Sequence, residues 1–145
     1  MNAVTYAETQ LKVHEIYAAA MKARDELSEI LAELTDMRQD RRKVEHELEM
    51  LELDLADSER VKHPEMSATA MAGHLKLAFR KDARWTDLKA KLVELANKID
   101  EEDTDRRLTE KDIEIFNARM NELGGYLLFL AAAKNAETTL GSKTS

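Results

Sequence analysis

From Val4 to His63 the chain contains neither glycine nor proline. Glycine breaks a helix by its backbone freedom and proline by its missing N–H, so nothing in this stretch interrupts one. Over the same stretch, apolar residues return at alternating gaps of three and four. One series reads Tyr6, Val13, Ala20, Leu27, Leu34, Arg41, Leu48, Leu55, and the interleaved series Thr9, Ile16, Ala23, Ile30, Met37, Val44, Leu51, Ser58. Arg41 is the only charge among these sixteen positions. A heptad pattern held this long predicts a coiled-coil helix over 4–62. At ~1.5 Å per residue that helix would be about 85 Å long, so it must run along the whole molecule or project from it.

Pro64 ends the helix, because its ring disfavours helix in the residue before it. Ser67 is suited to cap the next one. A second helical region is expected over 67–103, patterned by Trp85, Leu88, Leu92, Leu95 and Ile99. Gly73 and the polar residues Arg80, Lys81 and Asp82 leave room for a break in it. The run Asp100–Asp105 reads as a solvated turn, with a third helix over 109–136 carrying Ile113, Phe116, Met120, Leu123, Leu127 and Leu130. Gly124 and Gly125 weaken this helix locally but permit close helix contact. Residues 138–145 read as a disordered tail. The expected fold is all-α: one elongated domain over 1–137, with the long N-terminal coiled-coil helix forming an antiparallel hairpin or three-helix bundle with two shorter helices.

Charge supports the hairpin. A parallel, in-register homodimer of the long helix would set Asp40 against Glu45, Glu47 against Glu52 and Asp54 against Glu59, all like-charged. Residues 45–59 hold seven acidic side chains and no lysine or arginine. Residues 74–91 hold six basic side chains against two acidic ones. A turn at Pro64 would bring Arg80, Lys81 and Arg84 near Glu45, Glu49 and Glu52.

The hairpin leaves the first 25 or so residues without a partner in the same chain, although they still carry an apolar stripe. Tyr6, Val13, Ile16, Tyr17, Ala20 and Ala23, with Leu127 and Leu130 of the third helix, are the candidate oligomer or partner interface. The expected partner is a second copy or another protein, since homo-oligomers dominate soluble assemblies.

The catalytic inventory is thin. The chain has no cysteine, and its four glycines form no phosphate-cradling motif. His14 and His46 are each followed by glutamate, without the second histidine of a zinc-protease helix. No histidine follows a glutamate by three residues, the spacing used in helical di-iron sites. The four histidines stand one to a region, with no cluster for a pH switch. No catalytic, cofactor or metal site and no small-molecule substrate is expected, and the chain reads as a non-enzyme. A net charge of −7, no secretory signal, and an apolar run of eleven residues at Leu123–Ala133 suggest a soluble cytoplasmic protein rather than a membrane one.

Two features have competing readings. Arg41 is either a register device in the stripe or a side chain whose stem packs while its head reaches water. The segment 74–91 either contacts nucleic acid through Lys76, Arg80, Lys81 and Arg84, with Trp85 stacking on a base, or anchors the core with Phe79 and Trp85 while its charges face the acidic helix. The general shape, a long acidic coiled-coil helix plus two shorter helices, resembles small accessory proteins of bacteria and their phages. The leading expectation is a self-assembly, scaffold, adaptor or inhibitor protein, and the alternative a nucleic-acid-binding accessory factor.

Overall fold

In the computed structural model the backbone is described from Ala3 to Thr144, and side chains over 5–133 and at Asn135. The described residues form three helices and no strand: α1 (Ala3–Lys62), α2 (Ala68–Lys81) and α3 (Ala83–Thr144). None is long and apolar enough to cross a membrane.

The heptad stripe governs α1. Fourteen of its sixteen positions are buried or half-buried, and the two exceptions are Arg41 and Ser58. Arg41 turns outward and its Nε donates to Glu45 Oε1 at 3.0 Å on the same helix. Its head is therefore in solvent, and it sets no register in the core.

Beyond Lys62 the chain reverses over a short link. The His63 amide still donates to the Glu59 carbonyl at 2.9 Å, and the Met66 amide donates to the His63 carbonyl at 3.2 Å. Ser67 then caps α2, its Oγ accepting from the Ala70 amide at 3.2 Å.

A single residue, Asp82, separates α2 from α3. Its extended backbone (φ −81°, ψ 120°) breaks the helix, and its own amide closes α2 on the Phe79 carbonyl at 3.1 Å. Its carboxylate opens α3, accepting from the Arg84 amide at 2.9 Å and, more distantly, from the Trp85 amide at 3.4 Å. The break that the Arg80–Asp82 triplet left room for is thus real, and it is one residue wide.

The expected turn at Asp100–Asp105 is not there, because α3 is continuous from Ala83 to Thr144. The second and third helical regions are therefore not 67–103 and 109–136. Residues 138–144 are helical rather than a coil, while Ser145 lies outside the described residues. The reason lies in the spacing. Trp85, Leu88, Leu92, Leu95 and Ile99 continue without a slip through Glu102, Arg106 and Thr109 to Ile113, Phe116, Met120, Leu123, Leu127 and Leu130. All fourteen are buried or half-buried. Three polar residues occupy the stripe where the acidic run suggests a loop. Arg106 spans a turn there to the Glu110 carboxylate, with both oxygens at 2.9 Å.

The described residues cluster into two compact units. One joins α1 up to Leu31 with α3 from Asp105 onward, and the other comprises Ala32–Thr104. The N-terminal stretch is therefore not partnerless. Thr9, Ala20 and Ala23 are buried in the first unit, as is Leu130, and Arg24 donates to Asn117 Oδ1 at 3.3 Å. The core of the second unit is Leu34, Leu48, Ala56, Met71 and Ile99.

Two predictions follow the helix ends and the glycine pair. A Cβ on Gly124 would meet nothing within 4 Å, so Gly124→Ala should raise stability by up to about 1 kcal/mol, read from the urea midpoint. Arg84 above all, with the Arg84 and Trp85 amides, holds the Asp82 carboxyl below its ordinary 3.8 against the opposing effect of burial. A lowered folded-state pKa adds stability above the unfolded value, which is lost as pH falls through the folded one. Between about pH 5 and about pH 3 the melting temperature of the native chain should therefore fall further than that of Asp82→Asn, which keeps a cap but does not titrate.

Candidate functional site

The second unit gathers chemistry-bearing side chains where the chain turns from α1 into α2. Glu59 lies one turn from the end of α1, and His63 follows it by four residues, on the same face of the helical path. Pro64 and the Ser67 cap reverse the chain, and α2 brings His74 back against Glu59. His74 Nε2 donates to Glu59 Oε2 at 2.7 Å, and His63 Nε2 stands 3.7 Å from the same oxygen. The two imidazoles meet edge to face, with ring centroids 4.8 Å apart. Lys62 Nζ approaches the other carboxylate oxygen at 3.8 Å.

The His74 hydrogen bond, first of all, holds the Glu59 carboxyl below the usual carboxylate range. The charges of Lys62, His74 and His63 act the same way, and burial opposes them. Alongside runs an open groove of about 370 Å³, lined by Leu55, Glu59, His74, Leu77, Ala78, Lys81 and Asp82.

Next to this cluster Trp85 is fully engaged. Its Nε1 donates to Glu52 Oε1 at 2.9 Å. Its ring stacks with Phe79 at 6.3 Å between centroids, and Lys89 Nζ sits 5.2 Å from the ring centre. The expected charge partners are rearranged. Arg84 pairs with Asp82 at 3.0 Å, Glu45 with Arg41, and Glu52 with the Trp85 indole. Lys76 and Arg80 are exposed, and exposed Lys81 borders the groove that holds Glu59.

The candidate interface residues divide by burial. Ala20, Ala23 and Leu130 are buried within the first unit. Tyr6, Val13, Ile16 and Leu127 are half-buried, and Tyr17 is exposed.

The expectation of scattered histidines fails for His63 and His74, which the turn brings together. A screen for glutamate three residues before histidine passes over Glu59 and His63, whose spacing is four. That spacing, directly before a proline turn, was the available signal. The third member, His74, becomes visible only when α2 folds back.

No protein-family model, curated protein or solved structure matches this chain.

Trp85→Phe should lower stability by about 1 kcal/mol in urea unfolding. It keeps the stacked ring but leaves half-buried Glu52 without its indole donor.

Proposed function

We propose that the chain works by protein–protein contact, as a helical module that pairs with a second copy through the outer faces of the unit formed by its two ends. The observation that carries this reading is a second apolar stripe on each helix of that unit. On α1 it runs Ala7, Leu11, His14, Ala18, Met21, and on α3 Ile115, Ala118, Glu122, Gly125, Phe129, Ala132. All of these are exposed, and both stripes lie on roughly the opposite side of their helix from the buried heptad positions. Phe129 is 68% exposed and its neighbour Leu128 75%.

The same series continued along α1 in the second unit reads Arg42, His46, Glu49, Leu53, Ala56 and Arg60, of which Ala56 is buried and Leu53 is the one large apolar side chain left exposed, so the outer face there is mostly polar. A helix apolar on two sides expects a covering on both. The only charges in the two outer stripes are Glu122 and, when protonated, His14, so two copies can meet there with little like-charge repulsion.

The glycines point the same way. A glycine in a helix interior costs about 1 kcal/mol relative to alanine, and around Gly124 and Gly125 the single chain presents nothing that a Cβ would touch. Close approach of another helix gives exposed Gly125 a reason to be small.

Within the second unit we read α1 and α3 as an antiparallel coiled-coil pair. Glu52 meets Trp85, while residues 40–47 and 91–98 line one groove. Moving back along α1 thus means moving forward along α3. Scaffold, adaptor and inhibitor roles all use such a module. The nucleic-acid alternative keeps exposed Lys76, Arg80 and Lys81 for phosphate contact, but the Trp85 ring that would add base stacking is held by Glu52, Phe79 and Lys89.

Light scattering on a sizing column tests the reading. The native chain should run at twice its 16.5 kDa mass. Leu128→Glu with Phe129→Glu should return it to one chain with helicity kept, because both side chains point to solvent in the single chain. A monomeric native protein, or a variant that stays paired, sinks the proposal.

A further inference from the structure

We infer that Glu59, His63 and His74 form a binding site for one divalent transition-metal ion of the zinc class, placed so that the ion clamps the turn between α1 and α2. Each residue offers one ligand atom, and these atoms all lie within 4.8 Å of one another. The two imidazole nitrogens converge on a single carboxylate oxygen, at 2.7 and 3.7 Å.

A zinc ion holds nitrogen and carboxylate oxygen at about 2.0–2.2 Å in a tetrahedron, which sets the ligand atoms about 3.3–3.6 Å apart. The close Glu59–His74 contact has to open slightly and the Glu59–His63 contact has to close slightly. The ligand atoms, spread over as much as 4.8 Å, have to draw together as well, and rotation of the exposed His63 side chain supplies the closing. Two imidazoles and one carboxylate suit zinc, cobalt, nickel or copper rather than calcium or magnesium, which prefer all-oxygen shells.

The surroundings fit a bound ion. Lys62 lies against the other carboxylate oxygen at 3.8 Å, so Oε2 stays turned toward the histidines. The open groove beside Glu59 and His74 would let water supply a fourth ligand. Glu59 belongs to the last turn of α1, His63 to the link that follows and His74 to α2, so the ion ties together segments that are otherwise joined by the short stretch around Pro64. Binding to the folded chain alone stabilises it by mass action.

The test is calorimetric titration of the full chain with Zn²⁺ at neutral pH, with Co²⁺ as an optical probe. The expected result is one ion per chain, a visible Co²⁺ band of four-coordinate type, and a melting temperature that rises with Zn²⁺. His63→Ala and His74→Ala should each weaken binding by about tenfold or more. His14→Ala and His46→Ala, whose side chains lie outside the cluster, should leave it unchanged. His63→Ala removes an exposed side chain and keeps the fold, so it carries the test if His74→Ala does not fold. Absence of saturable Zn²⁺ binding overturns the inference. So does affinity that survives His63→Ala, or a stoichiometry of one ion to two chains.

Discussion

Everything in this molecule depends on covering one side of a sixty-residue helix. Backbone hydrogen bonds alone give a long helix in water little net stability, so its persistence comes from the apolar face it buries. The face of α1 is buried from Tyr6 to Leu55, with Arg41 the only gap in that span. It is covered within the same chain, by α3 from Asp105 onward at one end and by the segments within Ala32–Thr104 at the other. Each segment is therefore positioned by what α1 has to hide, and the turn and the one-residue break at Asp82 serve that covering.

Much of this was legible in the residues. The absence of glycine and proline, the heptads and Pro64 were enough to draw α1 and its end, and Ser67 marked the start of α2. The acidic run at Asp100–Asp105 misleads because a run of charge resembles a loop. A stretch of carboxylates is compatible with helix when spacing is unbroken, and the gaps of three and four pass straight through Glu102, Arg106 and Thr109. Without that continuity α3 looks like two helices and the N-terminal stretch looks partnerless. Ala20 and Ala23, which look like part of a free adhesive stripe, are buried inside a unit, and Ile16 is half-buried there. The exposed apolar positions sit half a turn away, at Leu11, Ala18 and Met21.

The cluster at the turn was legible only in part. Glu59 and His63 are close in sequence and share a helical face, so their proximity follows from spacing alone. His74 is eleven residues past His63, and its arrival depends on the angle at which α2 leaves the turn, which no local pattern encodes. Trp85 shows the opposite case. Its place at the head of a leucine stripe already favoured a core role over base stacking. The structure adds the hydrogen bond to Glu52, which joins the acidic helix to the basic segment through a neutral donor instead of the expected arginine.

The stripe on α3 has a consequence for how this chain can vary. From Trp85 to Leu130 its fourteen inward positions keep one phase, with no added or missing residue. One extra residue between Trp85 and Ile113 would turn all that follows by about 100°. Ile113, Phe116 and Leu127 would then swing out of the core together. Outward positions away from the faces proposed for pairing are therefore the freest to change, while within the α3 stripe a length change keeps the phase most simply in steps of seven. Single-residue insertions fit instead where the helical phase starts afresh, above all in the short link between α1 and α2.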